Sequence, residues 1–189
     1  MSHPDEVHAQ DEEPFAHGYG LLGITVPLLP QSFARAHEIG FGGMAGVMLR
    51  APYSTAVFAE AEYGYTPISF LGIVVDYGNL HQTTLRGGVR YFFGEETGPQ
   101  PFVTGGAGVS YSYFGPAEDM ENDRVDPPDD AQFPDRSNHW HPVVTAGGGT
   151  VLNVQPGFSI KSEVQIHVSL MDHGAMLSAT PRIGAIYNW

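Results

Sequence analysis

The stretch from Phe158 to Leu170, FSIKSEVQIHVSL, is two-toned along its whole length. Phe158, Ile160, Ser162, Val164, Ile166, Val168 and Leu170 fall on one face. Ser159, Lys161, Glu163, Gln165, His167 and Ser169 fall on the other, because side chains two apart share a face of a strand. The pattern returns elsewhere. Ile183, Ala185, Tyr187 and Trp189 oppose Arg182, Gly184, Ile186 and Asn188. Leu85, Val89, Tyr91 and Phe93 oppose Gln82, Thr84, Arg86, Gly88 and Arg90. Val57, Ala59, Ala61, Tyr63 and Tyr65 oppose Glu60 and Glu62.

With the turn-like segments between them, these runs predict eight strands, at about 17–27, 38–49, 56–65, 82–93, 101–114, 140–154, 158–170 and 178–189. The stretch 66–79 extends either the third or the fourth. Glycine supports strands over helices: 24 glycines occur in the chain, many as GFGG, RGG, TGGAG and AGGG inside apolar runs, where a helix would be destabilised by each.

Alternation alone allows two geometries. A soluble barrel packs its apolar face inward; a transmembrane barrel turns that face to lipid and fills its lumen with polar groups. Three features select the second. Of only eight basic residues, Arg86, Arg90, Lys161 and Arg182 lie on polar faces beside Glu60, Glu62 and Glu163, as a narrow lumen with self-neutralising charge requires. Tyr19, Tyr63, Tyr65, Tyr91, Phe93, Tyr113, Trp140, Tyr187 and Trp189 gather near strand ends, where interfacial girdles sit. The strands are longer than the roughly 5–6 residues usual in soluble proteins. Connections after strands two, four and six (APYST, GEETGPQ, QPG) are short and the others are mostly longer, and with both chain termini on the short-turn side all eight strands fit this alternation. The expected fold is therefore all-β: an eight-stranded antiparallel up-and-down transmembrane barrel over 16–189, with short periplasmic turns and longer outer loops.

Composition narrows the function classes. The net charge of -13 leaves no basic footprint for nucleic acid. Without cysteine there are neither disulfides nor thiolate metal sites. No apolar run is long enough for a membrane-spanning helix. Residues 1–15 read as a disordered acidic tail rather than a signal peptide, lacking a basic start and an apolar core. Either they begin a mature chain behind an added methionine, or the protein stays in the cytoplasm.

The hairpin RGGVRYFFGEETGPQPFVTGGAGVSYSYF resembles the small bacterial outer-membrane barrels of the OmpA-like and OmpW-like kind. The resemblance covers about 17–189. It implies a bacterial outer-membrane location, contact with outer-membrane lipids, and recognition by the barrel assembly machinery through Tyr187 and the terminal Trp189. Tyr91, Trp140, Tyr187 and Trp189 are the expected interface anchors.

Glu60, Glu62, Arg86, Arg90, Lys161, Glu163 and Arg182 are expected to form a lumen network. His167 and Ser169, with Glu163, are the candidate catalytic set, since hydroxyl, imidazole and carboxylate can transfer acyl groups. They resemble the His-x-Ser pair of outer-membrane lipid A deacylases, but IHVSLMDHGA lacks the asparagine expected there. Glu163 lies about 13 Å down the strand from His167, too far to orient it, so a polar lining is the simpler role. The acidic segment 118–135 offers Asp119, Glu121 and Asp123 as oxygen ligands for calcium without EF-hand order; a solvated outer loop explains it as well. His139 and His141 share a face and, with His173, could hold zinc or nickel, although a girdle around Trp140 also accounts for HWH. No cofactor is expected. The functional expectation is a structural or interaction protein presenting acidic loops, non-enzymatic, with a protein partner at those loops or the tail. The alternatives are a lipid A deacylase-like hydrolase and passage of small hydrophobic molecules.

Overall fold

The computed structural model describes residues 16–30, 39–51, 53–70, 73–94, 98–115, 139–171 and 174–188. The tail 1–15, the acidic segment 118–135, His173 and Trp189 lie outside the described residues. Eight strands follow one another: β1 (Ala16–Leu29), β2 (Gly40–Ala51), β3 (Thr55–Phe70), β4 (Ile73–Phe92), β5 (Gln100–Gly115), β6 (His139–Gln155), β7 (Phe158–Met171) and β8 (Gly174–Asn188). Each pairs antiparallel with its neighbour, and β1 closes the sheet against β8. Closure leaves no edge, so backbone polar groups are satisfied strand to strand, the condition for a sheet inside hydrocarbon.

The stretch 66–79 belongs to both strands. β3 and β4 run past the other strands as one protruding hairpin, leaving only two residues between them; β7 and β8 are also joined by two residues, but β6 reaches further than β7. Two of the four connections read as long are therefore strand extensions rather than loops. Alternation across Pro67 and Gly78 is too weak to reveal this, and it is cross-strand pairing such as Tyr65↔His81 and Pro67↔Asn79 that holds the extension together.

Outward side chains are apolar: Leu22, Val47, Val57, Leu85, Val89, Val103, Val109, Val144, Val164 and Ile183 are all exposed. Through the middle of the barrel many inward ones are polar or charged; Glu60, Arg86, Arg90, Lys161, Glu163, Gln165 and Arg182 are buried. The barrel is inverted relative to a soluble protein. Aromatics frame the apolar band at two levels. Near the long-connection rim, Phe41, Tyr65, His81 and Tyr113 form a row of touching rings across β2 to β5. At the short-turn side, Tyr91 packs edge-on against Phe93. His81 and Tyr91 are ten residues apart on β4, so at the usual rise and tilt the band is about 25 Å tall, a bilayer's hydrocarbon height.

The interior is layered. Toward the short turns, Met48, Ala56, Phe58, Phe92, Phe102, Val151 and Ile186 make a buried apolar plug. Charged residues fill the middle, and hydroxyls and amides line the upper lumen. Tyr19 departs from expectation. It is buried in the lumen, not placed in a girdle. β1 reads HGYGLLG, where His17 is the one clearly polar residue among aromatic, leucine and glycine neighbours, so its parity signal is thin, and pairing with β2 and β8 is what places Tyr19.

Candidate functional site

The mid-barrel layer starts from register. Glu60 on β3 stands directly opposite Arg86 on β4, and Glu163 on β7 opposite Arg182 on β8. Glu60 Oε2 accepts from Arg86 Nε at 2.6 Å, and its Oε1 accepts from the Tyr19 hydroxyl at 2.6 Å and from Arg90 at 3.2 Å. Glu62 pairs with Arg86 at 3.0 Å and with Arg182. Across the lumen, Glu163 takes Lys161 at 2.8 Å, Arg182 at 3.4 Å and Arg90 at 3.8 Å. One connected array thus joins β3, β4, β7 and β8.

Four cations meet three carboxylates here, an excess of one positive charge. Aromatic faces take up the surplus. The Arg90 guanidinium lies 4.8 Å from the Phe102 centroid and 5.0 Å from Phe58, and the Lys161 ammonium lies 4.4 Å from Tyr19. A desolvated cation over such a ring gains on the order of 2 kcal/mol. Methionine sulfurs supply further acceptors, Met44 to Arg86 and Met48 to Arg90. Tyr19, Phe58, Phe102, Met44 and Met48 were not foreseen as members. Their apolar side chains gave no hint of an inward position beside charge.

Glycines make the space. Gly46 on β2 faces inward, and a Cβ there would lie 2.8 Å from the Tyr19 ring and 2.9 Å from Glu60 Cγ. At Gly108, a Cβ would meet Arg86 Cβ at 2.7 Å. These are positions of close approach rather than phosphate cradles.

His167 sits on top of the array. Its Nδ1 is 3.3 Å from Arg86 and its Nε2 3.1 Å from Arg182. Ser169, two residues further up β7, is buried and lines a cavity of about 30 Å³ with Thr25, Thr66, Gln82, Thr84, Ser178 and Thr180. That is room for one or two waters. Glu163 lies on the far side of the guanidinium groups, bound to Lys161 and Arg182, so the hydroxyl, imidazole and carboxylate of the candidate catalytic set form no chain of contacts.

His139 and His141 are both on the inward face of β6 at the rim, with ring centroids 5.8 Å apart. Among the described residues no group of three or more metal-ligating side chains gathers. Asp119, Glu121 and Asp123 lie outside the described residues. Of the interface anchors, Trp140 is 60% exposed and stacks on Tyr111 near the rim; Tyr91 and Tyr187, 44% and 60% exposed, stand at the short-turn side.

An apolar outside, a charged and hydrogen-bonded inside and a closed antiparallel sheet define an eight-stranded barrel of the outer-membrane kind, built for contact with lipid. Solved structures of that class superpose on it. Neisserial surface protein A (NspA) matches with a TM-score of 0.61 at 8% identity, over 93% of this chain and 97% of that one. OprG of Pseudomonas aeruginosa gives 0.55 at 11%, over 93% and 96%. Ail of Yersinia pestis, in complex with the heparin analogue sucrose octasulfate, gives 0.52 at 13%, over 92% and 99%. No protein-family model matches the chain, and no curated protein does. At these identities the likeness is one of fold.

Proposed function

We propose that this chain is a closed, non-catalytic barrel of the bacterial outer membrane, inserted by the barrel assembly machinery, that presents acidic segments at its long-connection rim to partners with basic surfaces. The observation that carries this reading is the mid-lumen ion-pair array with the aromatic plug beneath it. Together they fill the cross-section, so the barrel is an anchor and not a pore. Outside the seven lumen charges the chain holds 18 of its 21 acids and four of its eight bases, and eight of those acids fall in 118–135. A heparin-like polyanion, the kind of ligand Ail was crystallised with, is disfavoured by that balance. A cationic partner is favoured.

Two observations weigh against the other functions. A neutral imidazole has one acceptor nitrogen, and His167 has a guanidinium at each of its nitrogens, so no lone pair is left to activate Ser169. The upper lumen is lined by hydroxyls and amides rather than apolar groups, which suits water and not a hydrophobic cargo.

The test is reconstitution of the full chain in planar bilayers, with lipid A mass profiles of cells that do and do not carry the protein. The expected results are no stepwise conductance and identical profiles. Regular current steps, or lipid A lacking an acyl chain, would overturn the reading. Binding of a cationic polypeptide to the cell surface should fall when the acids of 118–135 are changed to their amides.

A further inference from the structure

We propose that His139 and His141 form a two-imidazole chelate for a divalent transition-metal ion of the zinc, nickel and copper group, held inside the long-connection rim of the lumen. The argument does not depend on the display role.

His141 is 2% exposed, and neither of its ring nitrogens has a hydrogen-bond partner among the described residues. Buried polar atoms are nearly always paired, and an orphan points to a missing water or ion. Here both nitrogens of one imidazole are orphaned together, in a wall of the barrel that is otherwise hydrogen-bonded: the cross-strand neighbour Ser110 is bound to Thr84, and Ser112, opposite His139, to Gln82. Both serines accept in those bonds, and neither hydroxyl comes within hydrogen-bond distance of His141, so the local side chains do not complete it.

His139 supplies the second observation. Two residues apart on one strand, the two imidazoles project to the same side, and their centroids are 5.8 Å apart. With metal–nitrogen distances of about 2.0–2.1 Å, two rings sharing one ion have centroids roughly 5–6 Å apart. The rings stand at that spacing already, 59° between their planes. Imidazole favours zinc, nickel and copper over magnesium and calcium, whose preference is for oxygen. With two protein ligands the remaining coordination positions belong to water. The acids of 118–135, ending four residues before His139, raise the local concentration of cations by their field.

The experiment is a Zn²⁺ titration of the full chain, folded in detergent, followed by the ring nitrogen resonances of ¹⁵N-labelled histidines. Those signals separate the rim pair from the other histidines of the chain. The expected result is that both His139 and His141 rings shift over the same Zn²⁺ range. Either His139→Ala or His141→Gln should weaken the response of the remaining ring at least tenfold. Rings that do not move, or that respond at unrelated Zn²⁺ concentrations, would overturn the chelate. Should His141→Gln fail to show the gel mobility of a folded barrel, His139→Ala at the partly exposed position decides the matter alone.

Discussion

Glu60 and Arg86 face each other directly across β3 and β4, joined at 2.6 Å with both side chains fully buried. The same carboxylate also holds Arg90 and the Tyr19 hydroxyl. Each of the three carboxylates pairs with two guanidinium groups, but Glu60 also accepts from the Tyr19 hydroxyl and, unlike Glu62, is fully buried.

Glu60→Gln is expected to destabilise the barrel by about 3–5 kcal/mol, the usual cost of leaving buried charge uncompensated. Glu62, whose side chain is partly open to the upper lumen, should cost less when changed to glutamine. Denaturant unfolding in detergent, followed by gel mobility, checks the order; equal losses would mean that the array does not centre on Glu60.

Phe102 is buried against Phe92 and lies beneath both Arg90 and Lys161. Truncation to alanine should cost about 3–5 kcal/mol through the cavity it leaves. Bilayer conductance should nonetheless stay at zero, because the ion-pair layer above remains closed. Current steps from Phe102→Ala would show that the aromatic plug, and not the charge layer, is the seal.

Gly46 and Gly64 both face inward, yet they should respond differently. At Gly46 an added Cβ meets the Tyr19 ring and the Ala59 carbonyl at 2.8 Å, whereas at Gly64 nothing lies within 4 Å. Gly46→Val is expected to lose at least 1–3 kcal/mol to overpacking, or to prevent folding. Gly64→Ala should fold as the parent does. Thermal unfolding of the two variants in the same detergent compares them.

Leu85 is 50% exposed on the outer face of β4, midway between the levels of His81 and Tyr91. On a soluble surface Leu85→Arg would be nearly neutral. At the midplane of a bilayer it should cost about 2–4 kcal/mol. Reversible unfolding from lipid vesicles measures the difference, and a neutral result would remove the membrane from the interpretation.

Much of this was legible in the chain. The two-toned β7 and β4 gave strand period and inward parity together, because Lys161, Glu163, Arg86 and Arg90 all fall on the polar face of their strand, opposite an apolar one. Charge scarcity then decided which face was inside: seven charges on polar faces can neutralise one another in a narrow lumen but cannot solvate a surface. What was hidden was hidden where side chains lack contrast. β1 gives only a thin parity signal, so Tyr19 was assigned to the wrong face. Phe58 and Phe102 share the inward face with Glu60 and Thr104, where an apolar residue looks like an exception until the cations stacked on it are seen. The β3–β4 extension crosses Pro67 and Gly78, residues that read as turn.

The sequence by itself determined strand period, face polarity and so the inverted barrel, since these depend on side chains two apart on one chain. Only the tertiary structure decided the partners. Which carboxylate meets which guanidinium, which ring takes the surplus cation and which imidazole is left without a hydrogen bond all depend on register between strands distant in sequence. Register is fixed by closure of the whole sheet, and no single strand encodes it.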